Sequence, residues 1–357
     1  MTVIRLLQDG DRDAAIRLAD QTFRGEGHTS MGLAFPYLFA PGIGHTYGLF
    51  EDDQLVSLMG FVPAVVRVGE ARLHIYAIGA VCTHPDARGR GYASQLMSTL
   101  LAHADAAGAS LIVISGDRTL YTRRACYPFG SMRRYKLDDQ NTSAIRTSAE
   151  ASGVSVRGWQ PTDIFRLTEL ARGRSCGYEQ SLIDLSTLIK SAAYASNVKL
   201  RHQVLVAERN GEAAAFAVLA MSDDPAITRT PFAVEWAGDA GAVSAIFAYA
   251  IARYKLDQLQ VQVNWHESEL LAALGDKPYE DTRNSGLIHL VNSAHLCAQL
   301  EPYLQARGES GNQLAARLES LTEEERIALL FDPPHSRIGE SATLPVPFPY
   351  TVGLNYV

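Results

Sequence analysis

Four residues, Arg88-Gly89-Arg90-Gly91, stand directly ahead of Tyr92, Ala93 and Ser94, and Val81-Cys82-Thr83 lies a few positions before them. The run reads as strand, glycine turn and helix start. The first N–H groups of a helix lack intrahelical partners and carry the positive end of the helix dipole. That arrangement suits a pyrophosphate. Gly89 and Gly91 let backbone approach such an anion closely, and Arg88 and Arg90 add charge-assisted hydrogen bonds. A second group of reactive side chains follows the short apolar run 111–115: Gly116-Asp117-Arg118, Tyr121, Arg123-Arg124 and Tyr127. A phenol with pKa about 10 is a neutral proton donor at physiological pH.

Two functional readings of the turn compete with a bland one, an ordinary glycine turn between strand and helix. Gly89-x-Gly91-x-x-Ser94 nearly matches the dinucleotide fingerprint, which requires a first unit of parallel strands. Antiparallel hairpins precede this motif instead. The other reading is R-x-x-G-x-A, carried by Arg88, Gly91 and Ala93 after Val81-x-Thr83-His84-Pro85. Other chemistries find no support. The chain has no G-K-[ST] phosphate loop and no G-x-S-x-G nucleophile elbow. His266-Glu267 lacks the second histidine of a zincin helix, since position 270 is Leu. The first lysine is Lys136, so the segment holding both reactive groups has no Schiff-base lysine. The four cysteines, Cys82, Cys126, Cys176 and Cys297, lie far apart with no CxxC, which argues against disulfides and thiolate metal sites and fits a reducing cytoplasm.

The elements that must hold these residues follow from periodicity. Residues 2–7 read as a strand, Asp11 as an N-cap, and Ala15, Leu18, Ala19 and Phe23 as a helical stripe. The Gly- and Pro-rich stretch 24–44 reads as loop or short helices. Hairpins are expected at 46–50 with 54–62 and at 65–68 with 73–83. A helix over 91–107 ends at Gly108, then come a strand at 111–115, a short helix at 119–125 and a last strand at 133–137.

The chain then partly repeats. Arg5, Gln8, Asp11, Leu18 and Ala19 pair with Arg157, Gln160, Asp163, Leu170 and Ala171 at a constant shift. The segment 202–220 resembles the hairpin at 45–62, and 234–236, 241–254 and 259–264 continue the parallel. Element order and spacing agree as well as letters, which favours duplication. The Ser/Thr-rich 140s read as a linker. Beyond Val291 a helix is expected at 295–305, broken at Pro302, and another near 313–330 with a capping box at Thr322. The tail is Pro-rich and ends apolar.

The 357 residues amount to roughly 2.4 domains of ordinary size. At 47% hydrophobic and 20% charged, the chain is expected to fold around sizeable cores. No apolar run is long enough to span a membrane, and the start turns acidic by residue 9, unlike a signal peptide. The net charge of -7 argues against a nucleic-acid partner and allows a cationic small substrate.

With the R-x-x-G-x-A motif, its strand-before and helix-after context and this element order, residues 1–137 resemble the GNAT superfamily of N-acetyltransferases. The resemblance implies acetyl-CoA as cosubstrate. Its pantetheine would pair with Val81, Cys82 and Thr83, its pyrophosphate would sit on Arg88, Gly89, Arg90, Gly91, Tyr92, Ala93 and Ser94, and Gly116 and Asp117 would line the same site. It further implies that Tyr121, with Tyr127 as fallback, protonates the departing thiolate. Tandem GNAT folds with an extra C-terminal part resemble the Eis-type acetyltransferases, which acetylate amines and use the terminal carboxylate as base. That implies Val357 as base; Glu51, His74 and His84 are weaker candidates, and a tail that merely docks on the surface is the bland alternative.

The fold expected is therefore α/β (α+β): two tandem GNAT folds, each a mixed, mostly antiparallel sheet with flanking helices, plus a short helical, sterol-carrier-like extension. The expected divisions are a catalytic domain at 1–140, a linker at 141–153, a degenerate second domain at 154–290 and the extension at 291–357. In the second copy Glu235-Trp-Ala-Gly-Asp-Ala-Gly241 stands where the motif should be, and Asp239 would repel a pyrophosphate. The function expected is acetyl transfer from acetyl-CoA to a primary amine of aminoglycoside, polyamine or lysine type, without metal, nucleic acid or membrane, in a cytoplasmic protein for which a homo-oligomer is an open option. The alternatives are a noncatalytic CoA-binding regulatory protein and a tandem-GNAT aminoacyl transferase.

Overall fold

Runs rich in β-branched and aromatic residues become strands here, and glycine or acidic turns end them. The computed structural model describes residues 1–42, 45–333 and 343–357. Ile43 and Gly44 of the expected loop, and 334–342 of the Pro-rich tail, lie outside the described residues. The chain forms two compact units: Met1–Phe129 with Ser285–Thr351 and Tyr356–Val357, and Gly130–Asn284 with Val352–Asn355.

The first unit begins with β1 (Thr2–Leu6), α1 (Arg12–Phe23), α2 (Met31–Ala34), α3 (Pro36–Phe39) and β2 (Tyr47–Glu51). Next come β3 (Gln54–Val68), β4 (Ala71–Thr83), α4 (Tyr92–Ala106), β5 (Leu111–Ile114) and α5 (Thr119–Thr122). The two hairpins expected between 46 and 83 share one 15-residue strand, β3. Pro63 does not interrupt it and stands opposite Tyr76. The pairing of β4 with β5 is parallel and runs from Ile75↔Leu111 to Ile78↔Ile114. Beyond Ile78 the two strands part. On its other edge β4 slips register against β3 between Leu58 and Gly60, so that Ala80 and Val81 together stand against the single residue Met59. Ala80 sits at φ 49, a conformation a non-glycine residue adopts where surrounding structure imposes it, and the bulge re-aims Val81–Thr83. Helix α4 covers this sheet with Leu96, Met97 and Leu100, packed on Phe61, Ile78 and Ile112.

The second unit contains β6 (Met132–Leu137), α6 (Asp139–Ala151), β7 (Val154–Gly158), α7 (Ile164–Arg172), β8 (Cys176–Tyr178), α8 (Leu182–Ser191) and α9 (Ala193–Asn197). It continues with β9 (Arg201–Arg209), β10 (Glu212–Met221), β11 (Phe232–Gly238), α10 (Ala240–Tyr254), β12 (Leu259–Asn264), α11 (Ser268–Leu274) and β13 (Tyr279–Thr282). Its sheet runs β13-β6-β12-β11-β10-β9-β7. The Ser/Thr-rich stretch expected as a linker is helix α6. A capping box between Asp138 and Asn141 starts it. The hydroxyls of Thr142, Thr147 and Ser152 donate to carbonyls four residues back, so they do not compete with the helix. Ile145 packs on the unit's core.

The chain then returns to the first unit with β14 (Leu287–Leu290), α12 (Ser293–Gln305), α13 (Gly311–Glu319) and α14 (Glu323–Phe331). Strand β14 pairs antiparallel with β5 and completes the order β1-β2-β3-β4-β5-β14. The expected boundaries at 140, 153 and 290 therefore do not match the units. The strand at 132–137, read as the first domain's last, pairs with β12 and β13, and the first sheet takes its last strand from 287–290. Pro302 lies inside a continuous α12. The helix expected over 313–330 is two helices, parted where the Thr322–Glu325 capping box starts α14. The extension packs within the first unit. The Gln299 side chain accepts from His74 N–H at 2.9 Å and donates to Gly108 O at 2.9 Å. Phe129, Phe331 and Phe348 meet edge to face with centroids 5.4 to 5.9 Å apart.

The repeat has a structural counterpart. Arg5 grips both Asp11 oxygens at 2.5 and 3.0 Å while Gln8 N–H donates to Asp11 at 2.7 Å. In the second unit Arg157 grips Asp163 at 2.7 and 2.9 Å, and Gln160 N–H donates to it at 2.7 Å. No helix among the described residues is long and apolar enough to cross a membrane.

Candidate active site

Gly89 and Gly91 both adopt left-handed backbone, φ 78 and 79, and a Cβ built on either would meet nothing within 4 Å. Their side of the turn is open. Gly91 is the N-cap of α4, and no side chain caps this helix. The N–H groups of Tyr92 and Ala93 at its start therefore have no side-chain cap. Ser94 N–H turns back to Gly91 O at 3.1 Å. Arg88 is exposed and donates through Nε to Thr83 O at 3.2 Å. Arg90 is exposed as well but tied at both ends: Nη1 donates to both Glu51 oxygens at 3.1 Å and Nη2 to Asp86 O at 3.0 Å. Tyr92 is buried and donates its hydroxyl to the same Glu51 carboxylate.

Val81 and Thr83 are half-buried where β4 leaves β5, whereas Cys82 is buried, its thiol pushed up to about 12 by that burial. Ser57 Oγ bonds Cys82 O at 3.0 Å and Thr83 Oγ1 at 2.8 Å and fixes this end of the strand. Across the parting, Ser115 N–H donates to Ile78 O at 3.2 Å. Gly116 follows, half-buried, and a Cβ built there would lie 3.3 Å from the Tyr121 ring. Asp117 is exposed. Tyr121, on α5, is 5% exposed, and burial pushes its phenol up to about 12, with Tyr356 adding to the shift. The phenol is protonated at neutral pH.

On the β4 side of the same junction lies Val357. A Cβ built on Gly79 would overlap the Val357 carbonyl carbon and oxygen and come within 3.3 Å of its Cα. Val357 is 8% exposed, and Tyr356 before it packs on Phe35 with centroids 6.1 Å apart. Val357 on Gly79 and Tyr121 on Gly116 thus flank the point where Ile78 and Ser115 hold the strands together for the last time. Sequence reading missed Gly79, although an isolated glycine inside a strand signals close backbone approach. The other candidates stand elsewhere. Tyr127 is held by its backbone to Ile288, with N–H to O at 2.9 Å, and Glu323 and Glu324 act on its phenol. His74 is on an exposed position of β4 next to Gln299, and His84 accepts from Asp86 N–H as the cap of a short turn.

Residues 3–128 match the model of the acetyltransferase (GNAT) domain. This part of the chain is similar to that domain. Solved structures show that the likeness of fold extends over most of the chain. A GCN5-related N-acetyltransferase from Kribbella flavida superposes with TM-score 0.61 at 16% identity, covering 84% of this chain and 74% of that one. A probable N-acyltransferase from Enterococcus faecalis gives 0.64 at 15%, covering 85% and 75%. Eis1 from Mycobacterium abscessus gives 0.57 at 14%, covering 86% and 76%. No curated protein matches the chain in sequence.

The second unit repeats the strand-to-helix step but not the first unit's open turn. Asp239 caps α10 through Ala242 N–H at 2.8 Å and pairs with Arg209 at 3.1 Å, so its carboxylate occupies the anion position. Strands β11 and β12 pair in parallel at Phe232↔Gln260. A cavity of about 470 Å³ in this unit is lined by Arg174, Trp236, Gly238, His266, Glu267 and Leu270 among others. The Arg174 guanidinium bonds Glu235 and Glu267, and Trp236 Nε1 donates to Glu267 at 3.1 Å. Burial alone would lower the Arg174 pKa; Glu267 and Glu235 more than offset it. Burial raises that of Glu235. Nothing in the sequence pattern pointed to this cluster, whose members come from three separate elements.

Proposed function

We propose that the protein transfers the acetyl group of acetyl-CoA to a primary amine at the β4–β5 junction. The observation that carries this reading is the pair Val357 and Tyr121 on either side of that junction. The residues present fit the cosubstrate: two open left-handed glycines and an uncapped helix start offer N–H groups to a pyrophosphate. Arg88 is exposed beside them and adds charge. Acetyl-CoA supplies an activated thioester carbonyl.

Val81, in the bulge of β4, supplies the N–H that stabilises the carbonyl oxygen as that oxygen gains charge. The acceptor attacks as the neutral amine, its ammonium proton having passed to solvent, and the Val357 α-carboxylate accepts the second proton that the nitrogen sheds as its bond to the carbonyl carbon forms. Tyr121 donates its phenolic proton to sulfur as the carbon–sulfur bond breaks. The products are the amide and CoA thiol, and the proton held by Val357 returns through solvent to Tyr121.

The acceptor class is a cationic amine of polyamine, aminoglycoside or lysine type, in keeping with the acidic chain. A thiol-release assay with acetyl-CoA against a panel of polyamines, aminoglycosides and amino acids tests the proposal. Amine-dependent thiol release is expected. CoA binding without release for any amine would replace it with the noncatalytic reading, and transfer that requires an aminoacyl-tRNA with the aminoacyl-transferase reading.

A further inference from the structure

Arg90 stands in the phosphate turn between two left-handed glycines, where a cation is expected to face the ligand. It already has partners, although it is exposed. Its Nη1 holds both oxygens of Glu51, and Glu51 also receives the Tyr92 hydroxyl. Glu51 ends β2, and its side chain is 28% exposed; that of Arg90 is 51% exposed. An anionic side chain thus already occupies one cation of a turn built to receive an anion.

Two physical facts give this pair a role. Exposed ion pairs are weak, with double-mutant values of a fraction of a kcal/mol up to about 1, so a phosphate can displace the carboxylate. A guanidinium N–H donates to phosphate oxygens in place of carboxylate oxygens, so Arg90 Nη1, which alone holds both Glu51 oxygens, can exchange one anion for the other while Nη2 stays on Asp86 O. Tyr92 stays anchored because its ring is buried at the start of α4.

We propose that Glu51 is a positioning residue of the phosphate site, an internal anion that holds Arg90 until a phosphate of bound CoA replaces it. The inference rests on the acetyltransferase reading. By competing for Arg90, Glu51 weakens the grip on acetyl-CoA and on product CoA alike and speeds the release of CoA after turnover. It also leaves the count of ion pairs at Arg90 unchanged on binding, so binding of CoA is less salt-dependent than the number of cations in the turn implies.

The test is calorimetric titration of the full chain with CoA at several salt concentrations. Glu51→Gln is expected to tighten CoA about fivefold, which corresponds to about 1 kcal/mol, and to steepen the loss of affinity with salt. Glu51→Ala is the second variant and shifts both in the same direction. Arg90→Ala in the Glu51→Gln background removes both gains. Thermal melting of each variant separates a loss of fold from a change in affinity. Glu51→Gln that binds CoA as wild type does, or more weakly, with an unmoved salt dependence overturns the inference and leaves the acetyltransferase reading standing. Wild-type protein that binds no CoA overturns both, and does so before any variant is made.

Discussion

Gly79→Ala puts the junction under the most direct test. The new methyl would overlap the Val357 carbonyl carbon and oxygen, and one of the two must move. Strand β4 is held on one side by β3, with Gly60 opposite Gly79, and on the other by Ser115 N–H on Ile78 O. The tail is tied by single contacts, such as Thr351 Oγ1 on Ser285 O at 2.6 Å and the Tyr356 ring on Phe35, rather than by a strand ladder, so the tail moves. Expelling a buried valine costs about 1.5–2 kcal/mol, which for a unit of this size lowers Tm by about 3–8 °C. The catalytic effect is larger. Displacing the base by about an ångström costs on the order of 10²-fold, and removing general-base help altogether about 10²–10⁴-fold. The assay is kcat by thiol release at saturating acetyl-CoA, beside CoA affinity by calorimetry, which is expected to stay within about twofold because the phosphate turn is untouched. A variant lacking Val357, alone and combined with Gly79→Ala, supplies the control: if both changes act through the tail, the double variant is no slower than the truncation alone. A kcat within about threefold of wild type, or fully additive losses, would refute the reasoning.

Tyr121→Phe is expected to lower kcat by about 10²–10⁴-fold with KM for acetyl-CoA unchanged; equal losses in binding would point to packing instead. Because burial pushes the Tyr121 phenol up to about 12, a pH–rate profile should show no fall from its ionisation below about pH 10, and a descending limb at pH 8–9 that Tyr121→Phe removes would contradict this. His202, buried with Nδ1 on Ile189 O at 2.9 Å, has its pKa lowered to about 4 by burial. Its stabilising contribution is thus complete above the unfolded value near 6.5 and is lost as pH falls through 4; at most about 3 kcal/mol is involved. Melting of wild type and His202→Gln from pH 7 to 4 should converge as the pH drops. Arg174→Met leaves two buried carboxylates in the second unit without their cation and is expected to cost about 3–5 kcal/mol, read by denaturant unfolding, whereas adding Glu235→Gln and Glu267→Gln should recover much of the loss.

What was legible in the sequence is what short-range chemistry sets. The glycine turn at 88–91 declares itself because φ, helix start and charge all lie within seven residues. Arg5, Gln8 and Asp11 announce their copy at 157, 160 and 163 because one local hydrogen-bond pattern needs those types at that spacing. Helix α6 was hidden by its serines and threonines, which favour loops unless their hydroxyls turn back onto the helix as Thr142 and Thr147 do. Strand partners were hidden for another reason: the alternation in 132–137 gives the faces of that strand but not which sheet receives it. Val357 was readable as an apolar tail, its place on Gly79 only from the folded chain. Arg174, Glu235 and Glu267 are ordinary charges in sequence and become a cluster only when the turn after α7, strand β11 and the N-cap of α11 converge.

The late arrival of β14 has a consequence for synthesis. The first unit's sheet lacks its closing strand until residues 287–290 leave the ribosome, well after β5 at 111–114. At the usual pace of about 5–20 residues per second that interval is about ten to thirty-five seconds. Nearly all of the second unit is made within it. The half that lacks the phosphate turn therefore has its sheet available first, while the half that carries the turn waits with the β5 edge open, and residues 1–140 expressed alone would keep that edge permanently. On this view the second unit's sheet can close before the first unit's sheet is complete.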